Sequence, residues 1–449
     1  MEIYVDPEKP TILIMTDSAV QHSGLAQVTR NVFKQIHETE KYNLVQIGWC
    51  HNTPKEQVPW PIIPTLLNNG IPDPEDHYGQ KSLWSLVPKL KPAITWVMAD
   101  PFNINWLADH PSRELTKIIP YVCVDSHPMH KSWEKLFIGS DAAVVFSEFG
   151  RKGVMSAYGI DPVVIPHGVD HKIYKPAAKD EKQKIREDLF GPHSDKIIVG
   201  TVGRNMHRKN IVLMIPITRA LIKGEYIICK HCKRMHLWRF DPLLKAGIPD
   251  YLCPSCGTEN DRGEPVPEMI WYYYGALQEQ LGWNLHELVN LYGIKDAFLC
   301  HKELIPTMGK PEQHMYNVYN SMDLFAMPTM CEGWGLPIME AMACKIPVVL
   351  PRNSAYLDFV DDQCGGLCEY EPSIELAFGL HRAHVQLDDF ASKIYMLVKD
   401  KDYRKICGEH AYERTLPYTW TKIAEQWMDL FDSMLGRKTR GSWVEGEVI

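Results

Sequence analysis

The 449-residue chain has no run of about 18 apolar residues, so no segment reads as a helix able to cross a bilayer. It has no excess of positive charge. Its 48 Lys and Arg stand against 56 Asp and Glu, a net charge of −8, so any contact with a polyanion has to be local. The opening, MEIYVDPEKPTILIMTDS, lacks the basic stretch and small-residue cleavage site of a secretory leader. No G-x-G-x-x-G follows a strand pattern, and VGTVGR has the wrong spacing with basic residues after it, which argues against a nicotinamide-dependent oxidoreductase. No D-x-D metal site is found, and there is no short-period repeat and no low-complexity tract.

What is present is an ordinary globular composition, 45% hydrophobic and 23% charged, in a chain too long for one core. The first 175 residues alternate short β-branched runs with helical stretches. TILIMT, NLVQIGW, AITWVMA, IIPYVCV, AAVVFS and PVVIPH read as buried strands, with helices over Ala26–Glu38 and Phe149–Tyr158 among them. Such alternation predicts parallel strands joined by right-handed crossovers. A polar helical linker follows, and the pattern restarts with KIIVGTVG, EMIWYYY, AFLCH, LFAMP and IPVVLP as strands. The expected organisation is an α/β chain of two doubly wound domains, 1–176 and 196–418, joined by a linker over 177–195. A loop-rich insertion over 224–267 interrupts the second, and an amphipathic closing helix covers 419–437, with Trp420, Ile423, Trp427, Leu430, Phe431 and Met434 at helical spacing.

Of the twelve cysteines, eight are scattered among mostly apolar neighbours, the pattern of reduced thiols in a cytosolic chain. The other four, Cys229, Cys232, Cys253 and Cys256, form two C-x2-C pairs inside the insertion. That spacing predicts four thiolates closing tetrahedrally on a structural Zn2+. Between them five basic residues (Lys230, Lys233, Arg234, Arg239, Lys245) stand against two acids (Asp241, Asp250), with Trp238, Phe240 and Tyr251 interleaved. Such a surface suits nucleic acid through phosphate contact and stacking, or it is a stabilising or dimerising knuckle whose aromatics pack a small core of their own.

Two clusters follow predicted strands in the second domain. In MCEGWGLPIMEAMACKIPVV, Glu332 precedes a Gly333–Trp334–Gly335–Leu336 turn, Pro337 suits a first helical position and Glu340 lies one turn inside. Backbone N–H groups of that turn suit an anion, and the Glu340 carboxylate can accept from a vicinal diol. Glu340 merely complementing a helix dipole is the plainer alternative. In VGTVGRNMHRKN, Gly203, Arg204, Asn205, Arg208 and Lys209 come straight after a strand, where ligands bind in open α/β sheets. Together these ask for a nucleoside diphosphate with a ribose. In the first domain, Ser23-Gly24 opens a helix after the first strand, and Asp125 and His127 follow a later one.

These pieces resemble glycosyltransferase family 4, retaining enzymes of the GT-B fold. The resemblance is carried by EGWGLPIMEAMACKIPVV (an E-x7-E signature), GTVGRNMHRKN, VVFSEFGRKGVMSAYGIDPVVIPHGVDHKIYKP, the Ser-Gly loop and the YTW before the closing helix. It implies two Rossmann-like domains facing across a cleft, with the closing helix packed back on the first domain. The sugar nucleotide would sit mainly on the second domain and the acceptor on the first. By carry-over Glu340 would bind the ribose, Glu332 the donor sugar, and Arg204 and Lys209 the diphosphate. The backbone of Trp334–Leu336 would hold a phosphate, approached by Gly24. His127 would contact the sugar, with Asp125 as the alternative alignment. The expected activity is retaining transfer of a hexose from a nucleotide sugar, without a catalytic divalent ion, in the cytoplasm (a host's, were the chain viral). The acceptor would be a saccharide, a lipid-linked sugar or a base in DNA. The competing reading is a nucleic-acid-binding protein on the same scaffold. The family pattern does not call for the cysteine insertion.

Overall fold

The computed structural model describes residues 3–49, 57–66, 71, 73–300, 310–375 and 379–436. Cys50 and His301, and the last residue of the expected 419–437 helix, lie outside them. The chain divides into two compact units: Met1–Gly168 with Leu376–Leu380 and Pro417–Ile449, and Val169–Glu375 with His381–Leu416.

The first unit is built on seven strands: β1 (Thr11–Asp17), β2 (Asn43–Trp49), β3 (Ile62–Pro64), β4 (Ile94–Ala99), β5 (Lys117–Val122), β6 (Val144–Val145) and β7 (Val163–Val164). They lie in the order β3-β2-β1-β4-β5-β6-β7, and every pairing is parallel. The central strands are buried on both faces (β1 and β4 almost without interruption), which is why they read as apolar runs rather than alternations. At the sheet edge AAVVFS and PVVIPH each contribute only two paired residues, and the three-residue β3 has no apolar run to announce it. The closing helix, Trp420–Leu435, packs on helix Gly24–Glu38 and on the sheet. Trp427 meets Trp96 at 5.5 Å and Tyr121 at 4.9 Å between ring centroids, and Phe431 stacks on Phe33 at 6.5 Å.

The second unit repeats this winding. Its sheet uses β8 (Ile197–Val202), β13 (Met269–Tyr274), β14 (Phe298–Cys300), β15 (Leu324–Ala326), β16 (Val348–Pro351) and β17 (Gly365–Cys368), in the order β14-β13-β8-β15-β16-β17, again all parallel. The chain winds outward from β8 to one edge, returns to β15, and winds to the other. The strand order therefore reverses between β8 and β15, which pair directly through Leu324↔Val199 and Phe325↔Gly200. In open α/β sheets, ligands bind beyond the carboxyl ends of the strands at such a reversal. The segment over 177–195 contains helix Lys179–Phe190, capped by Gly191.

The insertion is more ordered than a loop. Between helix Met214–Lys223 and β13 it forms two antiparallel ladders, β9 (Tyr226–Ile228) with β10 (Met235–Leu237) and β11 (Arg239–Asp241) with β12 (Ala246–Ile248). Strands of three residues are too short to show a period of two. A further antiparallel pair, β18 (Tyr370–Ile374) with β19 (His381–Val385), leads into helix Leu387–Lys399. Among the described residues no helix is long and apolar enough to cross a membrane.

Trp427 is fully buried. Trp427→Ala is expected to lower the unfolding free energy of the first unit by about 3–5 kcal/mol. Urea denaturation followed by tryptophan fluorescence measures this, and a loss below ~1 kcal/mol would show that the closing helix is not part of that unit's core.

Candidate functional site

The reversal between β8 and β15 places two loops side by side. The chain leaving β8 turns through Gly203 into a short 3-10 helix, His207–Lys209, and the chain leaving β15 runs through Thr329 to Glu332. Their backbones join where the Met330 N–H donates to the Arg208 carbonyl at 2.7 Å. The side chains then converge. Lys209 Nζ lies 2.5 Å from Glu332 Oε1, Arg208 Nη1 lies 3.6 Å from Oε2, and the Thr329 hydroxyl donates to Oε1 at 2.9 Å. Arg208 also donates to the Cys331 carbonyl.

Both Lys209 and Glu332 are buried. Burial by itself would push the Glu332 carboxyl up, but Lys209 and then Arg208 outweigh it and hold the group below the usual carboxylate range. The backbone at Glu332 is fixed as firmly as its side chain. Ser354 Oγ accepts from the Glu332 N–H at 2.8 Å and donates to the Glu332 carbonyl at 2.6 Å.

Glu340 projects from helix Leu336–Ala343, one residue longer at its start than the pattern predicts. Gly335 takes φ +99° at its N-cap, a left-handed conformation that favours glycine. The N–H groups of Ile338 and Met339 both donate back to the Gly335 carbonyl, so Gly333, Trp334, Gly335 and Leu336 carry the amides of the turn itself. Glu340 is buried, and the Tyr319 hydroxyl donates to its Oε2 at 2.6 Å, with Tyr174 also hydrogen-bonded to it.

Arg204 does not join the Lys209–Glu332 pair. Its guanidinium donates to Glu279 Oε2 at 2.7 and 3.1 Å, the Asn205 N–H donates to the other oxygen of Glu279, and the Asn205 amide group is tied to Leu277 and Trp283. The Arg204 side chain nevertheless stays 60% exposed. Sequence reasoning missed Glu279, Tyr319, Tyr174, Thr329 and Ser354. Each lies outside the two motifs or carries no local pattern of its own.

In the first unit, Ser23 caps helix Gly24–Glu38 by accepting from the Ala26 N–H, and its hydroxyl donates to Asp17 at 2.6 Å. The His127 ring lies 4.0 Å from that of Phe149, against Gly153, where a Cβ would stand 2.2 Å from the imidazole. A side chain at residue 153 would displace His127.

Residues 294–414 match the family described as Glycosyl transferases group 1. The match spans less than half of the chain. Glu332, Glu340 and Tyr319 belong to it, whereas Arg204, Lys209 and the cysteine insertion precede it. The chain is similar to D-inositol 3-phosphate glycosyltransferase of Corynebacterium jeikeium (strain K411), 29% identical over 358 residues, 78% of this chain and 71% of that protein. Among solved structures it resembles sucrose-phosphate synthase from Thermosynechococcus elongatus (TM-score 0.68, 14% identity, 95% of this chain and 99% of that one). It also resembles an Anabaena protein in complex with UDP and glucose (TM-score 0.67, 14% identity, 94% and 100%). The fold class is GT-B, with two Rossmann-like parallel sheets.

The four cysteines of the insertion meet. Their sulfurs all lie within 4.8 Å of one another, with Cys229–Cys256 at 3.5 Å and Cys232–Cys253 at 3.6 Å. A zinc ion with Zn–S bonds of about 2.3 Å sets tetrahedral sulfurs ~3.8 Å apart, and a disulfide needs about 2 Å. The donor set therefore fits a metal and not a cross-link. The Cys232 N–H turned toward Cys229 Sγ at 3.4 Å also suits a thiolate.

A carboxyl held below its unfolded value near 4.5 contributes stability that is present above that pH and lost as pH falls through the folded value. Glu332→Gln removes this contribution. The stability difference between wild type and variant is therefore expected to be largest near pH 6–7 and to shrink on acidification below about pH 4.5. Urea unfolding at several pH values tests this, and a difference independent of pH would be evidence against the charged pair.

Proposed function

We infer that the chain is a nucleotide-sugar-dependent glycosyltransferase, moving a hexose-type sugar to an acceptor hydroxyl with retention of configuration. The observation carrying this reading is the Lys209–Arg208–Glu332 cluster at the reversal between β8 and β15. A buried ammonium and a guanidinium converge there, beside the turn that leads to Glu340. Departure of a nucleoside diphosphate builds negative charge on the leaving phosphate, and fixed cations lower the barrier where that charge develops. Lys209 and the half-exposed Arg204 are the groups assigned to it. Glu332 holds Lys209 in place and faces the donor sugar. The amides of Gly333–Leu336 take a phosphate oxygen, and Glu340 takes the ribose hydroxyls. Retention and the parts played by Ser23, Gly24 and His127 rest on the family resemblance.

For the acceptor, a saccharide or polyol phosphate is favoured over nucleic acid. Proteins similar to the chain include a D-inositol 3-phosphate glycosyltransferase and a sucrose-phosphate synthase. The aromatic residues that suggested base stacking are engaged elsewhere: Phe240 stacks on Tyr292 at 4.1 Å, and Trp238 lies between Tyr251 and the Arg262 guanidinium. Zn2+ in the four-cysteine site is assigned a structural part, as a closed thiolate set leaves no position for substrate. None of the described cysteines is in a disulfide, which suits a reducing, cytoplasmic setting.

A panel of UDP-, GDP- and ADP-sugars, followed by nucleoside diphosphate release, tests the assignment. Lys209→Ala is expected to cut turnover by 10²-fold or more, and Glu340→Ala to weaken donor binding most, read as a raised KM. Full activity in either variant rejects the donor site as drawn. Elemental analysis of the purified chain should give one zinc per chain, and Cys256→Ser should reduce it. Less than a tenth of an equivalent in the wild type would refute the metal assignment.

A further inference from the structure

The four-cysteine site is not isolated on its hairpins. His236, on β10, points one ring nitrogen at the site and the other at helix Leu387–Lys399. Its Nε2 lies 3.5 Å from Cys253 Sγ, and its Nδ1 lies 3.0 Å from Asp388 Oδ2. The second oxygen of Asp388 accepts from the Leu237 N–H at 3.0 Å, so one carboxylate grips both the ring and the backbone of β10. Asp388 stands in the first turn of helix Leu387–Lys399, whose Phe390, Ala391, Ile394, Leu397 and Val398 are buried in the core of the second unit. Cys253 and the His236 side chain are both largely shielded from water.

We propose that His236 and Asp388 are the outer residues of this metal site, and that they tie its loading to the stability of the second unit. The inference rests on the zinc assignment above. Four thiolates around one divalent ion leave an excess of two negative charges, and donors aimed at the sulfurs offset that excess. The His236 ring has a cluster sulfur at one nitrogen and the Asp388 carboxylate at the other, so it links the metal site to helix Leu387–Lys399. Asp388 then orients the ring in the way a carboxylate orients a metal-ligating histidine, here acting through the sulfur rather than on the metal. The module is also anchored away from the metal. Glu225 is held by a buried two-pronged pair with Arg219, accepts from the Gly247 N–H at 3.4 Å and gives its carbonyl to the Trp238 N–H. The Arg219 guanidinium also lies over Phe240 at 4.7 Å. Loss of the metal would therefore strain an element fixed at two points to the second unit, rather than release a free appendage.

The test uses the full zinc-loaded chain, challenged with the chromogenic chelator 4-(2-pyridylazo)resorcinol. His236→Ala is expected to release zinc 10- to 100-fold faster, Asp388→Asn to fall between it and wild type, and the double variant to match His236→Ala. In cobalt-loaded protein, the sulfur-to-metal charge-transfer band should shift in His236→Ala, a change that a merely packing role would not produce. The fall in thermal midpoint on chelation should be smaller in Asp388→Asn than in wild type. Release rates within twofold of wild type for both single variants overturn the proposal while leaving the zinc assignment standing. A wild-type chain that neither holds nor takes up zinc or cobalt overturns both. Should His236→Ala fail to fold, His236→Gln and Asp388→Asn give the same comparison.

Discussion

The buried pair of Lys209 and Glu332 fixes the geometry on which the rest of the second unit's site depends. Two opposite charges out of water are tolerated only when each is held by the other and by further hydrogen bonds. Here Thr329 and Arg208 share the carboxylate, and Ser354 locks the backbone beneath it. The loops leaving β8 and β15 have to meet for this to happen, and they can meet because those two strands are paired neighbours in the sheet. Removing either charge strands the other in a buried place, so the pair constrains the fold as much as any chemistry performed there.

From that pair outward, several side chains with an assigned part in donor binding are each held by a second group. Tyr319 and Tyr174 hold Glu340, Glu279 holds Arg204 and Asn205, and Ser23 is hydrogen-bonded to Asp17. A site whose cations and carboxylates are already oriented requires less reorganisation when a diphosphate arrives. The cysteine insertion follows the same rule at a smaller scale. Its hairpins are too short to hold themselves, and they are fixed by the sulfur cluster at one end and by Glu225 and Asp388 along the side.

Much of this was legible beforehand. Buried parallel strands announce themselves as apolar β-branched runs, and β1, β2, β4, β8 and β13 fall within a residue or two of where the runs place them. β6 and β7 fall inside the runs AAVVFS and PVVIPH but are shorter than those runs, and β3 was not read at all, because strands of two or three residues at a sheet edge owe their state to the neighbour they pair with. The motif residues Glu332, Glu340 and Lys209 stand in one unit, in loops or helix starts that follow strands. The pairing of Arg204 with Glu279 rather than with the central cluster was not legible, since nothing in GRNMHRKN distinguishes one cation from the next.

By itself the sequence determined two doubly wound α/β units in tandem, the four cysteines of the insertion and the glycine turn between two glutamates. These are local properties, written in periodicity, residue type and short spacing. Tertiary structure alone decided which cation faces which acid and which residues stand behind the site. Lys209 and Glu332 are 123 residues apart, Arg204 and Glu279 are 75 apart, and His236 and Asp388 are 152 apart. Over such separations no pattern along the chain marks the partner. Only the winding of the sheet and the packing of the insertion against helix Leu387–Lys399 bring these groups to bonding distance.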